Sequence, residues 1–219
     1  MEKNQVIILI PSHNEIETLK KICLYIKKLR FKILVIDDHS NDETSHWLRK
    51  NSFNFIKNKK RMGYEKSILI GMKFIIKKLK VKYLLTFDAD GEHRVTDLAK
   101  LINGIKRQNA DMIIGNRNKF NRWSEYILSF FYFIRFGIKD PISGFKIYSI
   151  QKLGFFKNKI KSNSYLVDLV VKFKKKKFIV KNQSIIINNR MHGISKNGNN
   201  MLINLKILKL IKYIFFYKL

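Results

Sequence analysis

The chain has one cysteine, only 16 acidic residues against 45 lysines and arginines, and no apolar run long enough to cross a bilayer. A single cysteine excludes an internal disulfide. Cys23 lies within an apolar helical pattern and reads as a small buried side chain, which suits a reducing compartment. The run Val6-Ile7-Ile8-Leu9-Ile10 stops at Pro11, too early for a signal-peptide core or a membrane span, so the expected location is cytoplasmic, without secretion. There is no internal repeat, no zinc-finger spacing and no single-strand-binding signature, and low complexity is confined to lysine runs such as Lys174 to Lys177. No glycine-rich triphosphate loop follows the first apolar run, which speaks against a nucleotidyltransferase.

The shortage of acids leaves a formal net charge of +29. One reading is a polyanionic partner, nucleic acid or an anionic membrane surface. The other is composition, because Lys, Asn and Ile dominate together, as A/T-rich codons would produce, and the lysines are spread along the chain. Either way the charge favours an anionic surface. The basic-plus-aromatic layout of nucleic-acid modules is missing, so no nucleic-acid partner is expected. With 46% hydrophobic and 13% aromatic residues, 219 residues suffice for one folded domain. The pattern divides into residues 1–197, one α/β domain, and residues 198–219, a basic amphipathic segment beyond a hinge at Asn197 to Asn200.

Short apolar runs alternate with helical periodicity. Val6 to Ile10 reads as a buried parallel strand, and Ile16 to Leu29 as a helix with Ile16, Leu19, Ile22, Cys23, Ile26 and Leu29 on one face. Ile33 to Ile36 is a second strand, followed by a helix toward Lys50 that Asn41 or Asp42 can cap. Phe53 to Ile56, Tyr83 to Phe87 and Met112 to Ile114 are further strands, and Ser67 to Leu79 and Val95 to Ile105 are helices. Tyr126 to Ile138 is a strongly apolar, aromatic stretch. Tyr165 to Phe173 reads as a helix, and Phe178 to Val180 and Ile185 to Ile187 as short strands. Such alternation implies right-handed crossovers and a mainly parallel sheet flanked by helices, with ligands at the carboxyl ends of the strands. The clusters His13-Asn14-Glu15, Asp37-Asp38, Asp88-Ala89-Asp90 and Asn116-Arg117 each follow such an end, so four polar clusters converge on one sheet edge.

Asp88 and Asp90 are two apart. In extended backbone both would face one side, with Glu92 continuing the alternation, so a divalent cation could lie between them and a diphosphate. Hard oxygen ligands suit Mg or Mn, and such a cation neutralises charge on a departing nucleoside diphosphate. The competing reading is a solvated acidic turn. Asp37-Asp38 can accept hydrogen bonds from a base or a ribose, or cap a helix, which Asp42 does better. Arg117, Arg190 and Lys196 are candidates for phosphate contacts.

These motifs resemble the family 2 glycosyltransferases of GT-A (Rossmann-like) fold, and within them the dolichol- or polyprenyl-phosphate mannosyl/glucosyltransferase-like branch. Ile10-Pro11-Ser12-His13-Asn14-Glu15 resembles the first strand and its Pro-x-x-Asn-Glu turn. Val35-Ile36-Asp37-Asp38-His39-Ser40-Asn41-Asp42-Glu43-Thr44 is similar to the nucleotide-binding element. Phe87-Asp88-Ala89-Asp90-Gly91-Glu92-His93 resembles the metal motif and Gly115-Asn116-Arg117 the Gly-x-Arg. Asp140-Pro141-Ile142-Ser143-Gly144-Phe145-Lys146 is similar to the acceptor-side motif, and Arg190-Met191-His192-Gly193-Ile194-Ser195-Lys196 to Arg-x-x-Gly-x-Ser-Lys. The likeness spans about residues 6 to 197.

The resemblance implies that Pro11, His13, Asn14, Glu15, Ile36 and Asp38 serve the nucleoside part of the donor. It implies that Asp88, Ala89 and Asp90 meet the diphosphate and metal, with Glu92 as a third ligand. It puts Arg117, Arg190 and Lys196 at donor or acceptor phosphates and Ser143 and Gly144 with Arg117 on the acceptor side. His13 departs from a common aromatic, Gly91 from a bulkier residue and Asp168 from Glu. The implied reaction is an inverting transfer from a GDP- or UDP-sugar to a polyprenyl or dolichyl phosphate, with a hydroxyl of a surface or lipid-linked glycan as the alternative acceptor. A hydroxyl needs a base, and Asp140 is the candidate, unless it only braces the Ser-Gly turn. In Met201 to Leu219, lysines 206, 209, 212 and 218 interrupt the apolar residues. That pattern suits an interfacial helix at an anionic membrane surface or a helix packed on protein.

Overall fold

A computed structural model describes residues 3–156, 165–188, 201–212 and 214. Its centre is a seven-stranded sheet of β1 (Val6–Ser12), β2 (Lys32–Asp37), β3 (Phe55–Lys57), β4 (Tyr83–Thr86), β5 (Met112–Arg117), β6 (Lys146–Ser149) and β7 (Val180–Ile185). The order is β3-β2-β1-β4-β6-β5-β7. All neighbouring pairs are parallel except those of β6, which runs antiparallel to both β4 and β5. The helices are α1 (Ile16–Lys28), α2 (Thr44–Lys50), α3 (Tyr64–Lys78), α4 (Leu98–Arg107), α5 (Trp123–Phe136), α6 (Ile150–Gly154), α7 (Tyr165–Lys175) and α8 (Met201–Leu208).

Side-chain alternation along the strands fills two apolar layers. Val6, Ile8, Ile10, Ile33 and Val35 pack with Leu19, Ile22 and Ile26 of α1 and Leu101 and Ile105 of α4. Ile7, Leu9, Leu34 and Ile36 point the other way, onto Ile68, Met72 and Ile75 of α3. A sheet covered on both faces accounts for the uninterrupted apolar runs seen in the sequence. Gly71 lets α3 approach closely, since a Cβ there would strike the Leu9 side chain.

The α/β class and mainly parallel sheet agree with the sequence reading. Four local expectations differ. The third strand begins at Phe55, because Phe53 instead packs its ring on Trp47 at 5.2 Å between centroids. The stretch Val95–Asp97 is a 3-10 turn leading into α4. The two short strands expected at Phe178 to Val180 and Ile185 to Ile187 are one strand, β7. The antiparallel β6 was not expected, because its four residues include a lysine, Lys146, that the fold buries completely.

The helix α5 covers the apolar stretch expected at Tyr126 to Ile138 as far as Phe136, where Gly137 with φ 69° ends it. Against it packs α8, where Ser124 Oγ donates to Asn204 Oδ1 at 2.6 Å and Ile207 is buried. The exposed side of α8 mixes Met201, Leu202 and Leu205 with Lys206. No described helix is long and apolar enough to cross a membrane. The hinge expected at residues 197–200 lies outside the described residues, as do Arg190 and Lys196.

Candidate functional site

The loops leaving β1, β2, β4 and β5 border one cavity of about 430 Å³ at the carboxyl edge of the sheet. It is lined by Pro11, His13, Glu15, Asp38, Asp88, Ala89, Asp90, Glu92, Arg117 and Gly144 among the expected residues. The first two loops are laced together. Asn14, with φ 54°, donates its backbone N–H to Ser40 Oγ at 3.1 Å and accepts from the Asn41 N–H on its side-chain oxygen at 2.9 Å. Its side chain therefore holds the two loops in register. Asp42 accepts from the N–H groups of Thr44 and Ile16 and so serves both helix starts. His13 Nδ1 lies 2.9 Å from the Asp38 carbonyl oxygen, which accepts from it.

The adjacent acids Asp37 and Asp38 divide their work. Asp37 is fully buried and accepts from the Ser40 N–H and the Ser45 hydroxyl, bracing the β2 exit. Asp38 faces the cavity. Its carboxylate accepts from Asn58 Nδ2 at 2.7 Å and from the N–H groups of Met62 and Gly63, both at 2.8 Å. Burial would raise its carboxyl, but these hydrogen bonds outweigh burial and hold it below the ordinary value. They also fix the loop that carries Arg61 to the cavity wall.

At the β4 exit the backbone turns rather than staying extended. Gly91 adopts φ 80°, and Asp90 Oδ1 accepts from the Glu92 N–H at 3.0 Å. Asp88 Oδ1 accepts from the Tyr64 hydroxyl at 2.7 Å, and Oδ2 lies 3.1 Å from His93 Nε2. Burial alone would raise the Asp88 carboxyl. His93, Tyr64 and Arg117 together reverse that and pull it down, so it stays ionised. Burial would lower His93, but its bond to Asp88 and the nearby Asp90 raise it. The His93 ring is wedged between Phe87 and Phe145, at centroid distances of 5.9 and 5.1 Å. Gly144 lies directly against this group: a Cβ there would meet both Asp88 Oδ2 and the Tyr64 hydroxyl at 2.5 Å.

The third cluster is a buried ion-pair network. Arg117 donates through Nε to Asp140 Oδ2 at 2.7 Å and through Nη2 to Asp140 Oδ1 at 3.0 Å, and pairs with Glu125 Oε2 at 3.0 Å. Arg122 holds the other Glu125 oxygen at 2.6 Å. Burial would lower the Arg117 guanidinium, but Asp140 and Glu125 raise it well above the ordinary value. Behind it, Lys146 Nζ donates to the carbonyls of Pro141 and Leu166 at 2.7 and 3.0 Å, joining the Asp140–Gly144 loop to α7. Burial pushes Lys146 down to about 7.

Three expected roles need correction. Ile36 does not line a nucleoside pocket, because its side chain is wholly within the core. Ser143 is buried, with its hydroxyl accepting from the Phe145 N–H at 3.3 Å, so it shapes the loop. Asp140 is 1% exposed and gripped by Arg117 through both oxygens, which fits the bracing role and not that of a base. The sequence reading also missed Arg61, Tyr64 and Glu125 at the cavity. A lone acid directly before the aromatic stretch Tyr126 to Ile138 was the available signal for Glu125.

For a cation, the donor set decides. Among the described residues no three His, Cys, Asp or Glu side chains form a ready cluster. Asp88, Asp90 and Glu92 nevertheless line one cavity with hard oxygens. This fits Mg or Mn, which are held by one or two carboxylates with phosphates and water completing the shell, and does not suit Zn.

The family model described as Glycosyl transferase family 2 matches residues 7–145. An uncharacterised protein of Methanocaldococcus jannaschii is 35% identical over 118 residues, which are 51% of this chain and 52% of that protein, so the match spans about half of that relative. The UDP-N-acetylglucosamine–dolichyl-phosphate N-acetylglucosaminyltransferase of Methanococcus voltae is 23% identical over 195 residues, 75% of this chain and 77% of that enzyme. Among solved structures, glucosyl-3-phosphoglycerate synthase from Mycobacterium tuberculosis, in complex with Mn2+, UDP and glucosyl-3-phosphoglycerate, superposes with a TM-score of 0.71 at 10% identity. It covers 97% of this chain and 79% of that one. At that identity the likeness concerns the fold, which is GT-A.

Proposed function

Since the chain belongs to the glycosyl transferase family 2, a family of transferase enzymes, we propose that it moves a sugar, with inversion, from a GDP- or UDP-sugar to a polyprenyl or dolichyl phosphate. The observation that carries this reading is the one cavity into which Asp38, from the end of β2, and Asp88, Asp90 and Glu92, from the end of β4, converge. In it Asp38 and its fixed loop receive the nucleoside, beside Pro11, His13 and Glu15. Asp88, Asp90 and Glu92 would hold Mg or Mn, which when bound would supply positive charge to offset that on the leaving nucleoside diphosphate. Tyr64 and His93 keep Asp88 ionised and aimed at that position. Arg117 contributes positive charge at the cavity wall while anchored to Asp140 and Glu125. Arg190 and Lys196 complete the phosphate contacts in this proposal.

A phosphate acceptor is favoured over a hydroxyl for a chemical reason. A phosphate is already anionic near neutral pH and needs no base, whereas a hydroxyl does. Asp140, the sequence's candidate base, is committed to Arg117. The dolichyl-phosphate substrate in the name of the M. voltae relative supports the same choice. The protein would then work peripherally at an anionic cytoplasmic leaflet.

Incubating the protein with a panel of nucleotide sugars, Mg or Mn, and polyprenyl phosphate, with mass spectrometry of the lipid fraction, tests the reading. An acid-labile sugar–phosphate–lipid product is expected. A product that survives mild acid points to a hydroxyl acceptor, and unchanged nucleotide sugars throughout would refute the reaction.

A further inference from the structure

The helix α5 is apolar on two opposite faces. Inward, Leu128, Tyr132 and Phe136 enter the core; outward, Tyr126, Phe130, Phe133 and Ile134 are 55, 60, 51 and 68% exposed. A helix that is apolar all round belongs in an environment that covers it all round. Packed against α5, the helix α8 exposes Met201 and Leu202, each 68%. Exposed apolar surface on this scale marks an interaction site.

Charge selects the occupant. The only acid in α5 is Glu125, which is buried beneath Arg117 and Arg122. Beyond Asp140 the sequence holds a single acid, Asp168, and it too is buried. The charged residues exposed on and next to these helices are cations: Arg135 in α5, Lys139 just after it, Lys206 in α8 and Lys209 just after that. Lys139 Nζ sits 6.0 Å from the centroid of the Phe133 ring. Exposed apolar and aromatic side chains accompanied by exposed cations, on helices whose one acid is buried, match an anionic bilayer interface, where rings sit at headgroup depth and lysines meet lipid phosphates. A second copy would set two surfaces of like charge against each other. At about 1.5 Å per residue, the 14 residues of α5 extend about 21 Å, short of a bilayer's hydrocarbon thickness, so the helix lies along the surface rather than across it.

We propose that the outer face of α5, extended by α8, is the surface on which this protein docks onto an anionic lipid bilayer. The face reaches a groove of about 620 Å³ lined by Phe130 and Phe133 together with Arg117 and Lys139. Docking there would bring the cavity edge to the membrane. The proposal takes its purpose from the lipid-phosphate reading above, whereas its evidence is the surface itself.

The test is vesicle flotation with the full chain, comparing phosphatidylcholine vesicles with vesicles that also contain phosphatidylglycerol, and comparing the wild type with Ile134→Glu/Leu202→Glu. Both substituted side chains are 68% exposed and lie outside the catalytic cavity, so an unchanged melting curve and unchanged calorimetric binding of nucleoside diphosphate are expected. Wild type should float with the anionic vesicles at least tenfold more than with the neutral ones, and less as NaCl rises from about 0.1 M to about 0.5 M. The double variant should lose at least tenfold of that binding. Failure of the wild type to float, or equal flotation of the variant, would overturn the proposal. So would a dimer that the substitutions dissolve while neither protein binds vesicles. A wild type that floats but leaves every nucleotide sugar intact would uphold the docking face and sink the proposed reaction.

Discussion

Removing the Arg117 guanidinium while keeping its volume, as Arg117→Met does, would leave Asp140, of about 1% side-chain exposure, without its cation and the equally buried Glu125 with Arg122 alone. Breaking a buried ion pair from one side costs about 3–5 kcal/mol, mostly because the abandoned charge stays desolvated. For a chain of this length each kcal/mol moves the melting temperature by about 2–4 °C, so a fall of about 10 °C is expected at neutral pH. Neutralising the abandoned acids distinguishes a stranded charge from a mere packing defect. Glu125→Gln with Asp140→Asn in the Arg117→Met background should restore part of the deficit, because no uncompensated charge is then left buried. Differential scanning calorimetry of the three proteins at neutral pH is the assay. A deficit under about 1 kcal/mol, or one that the neutralising pair leaves unchanged, would refute the claim that Arg117 is the cation of a buried brace.

Three other outcomes are expected. Gly144→Ala forces a Cβ against Asp88 and Tyr64, so kcat/KM should drop by about 100-fold while the melting temperature moves little; near-normal kinetics would show that this contact can relax. Lys146 titrates at about 7 in the fold because burial, aided by Arg117, outweighs Asp140, Glu65 and Asp88. The unfolded chain then binds the extra proton between pH 7 and about 10, so wild-type stability should rise across that window. Lys146→Met should lack this rise and compare best with wild type below pH 7, and parallel stability curves would contradict the assignment. Asp38→Ala frees the N–H groups of Met62 and Gly63. Calorimetric titration should show about tenfold or more weaker binding of the nucleoside diphosphate, and unchanged affinity would remove Asp38 from the donor site.

Strands with both faces buried announce themselves as unbroken apolar runs, so β1, β2, β4 and β5 were legible, together with the polar clusters at their ends. The short β6 was not. Its Lys146 is tolerated in the core because two backbone carbonyls receive its ammonium, a tertiary circumstance without a local signature. The carboxylates of the cavity could be picked out by position, but their division of labour could not. Asp37 and Asp38 are neighbours in sequence, and only the fold turns one toward Ser40 and Ser45 and the other toward the cavity. Asp140 looked like a base because it stands beside a turn motif, and only the third dimension shows Arg117 across it. Tyr64 likewise reaches Asp88 from 24 positions away, a separation that no local pattern reveals.

The most direct test of the central claim is the release of nucleoside diphosphate from a nucleotide sugar in the presence of polyprenyl phosphate, followed over a Mn2+ titration for wild type and Asp88→Asn. The account predicts that wild-type turnover rises with Mn2+ and is abolished by a chelator, and that Asp88→Asn, folded and of similar melting temperature, releases nothing at any Mn2+ concentration. Substantial turnover by Asp88→Asn, or wild-type turnover indifferent to the metal, would contradict it.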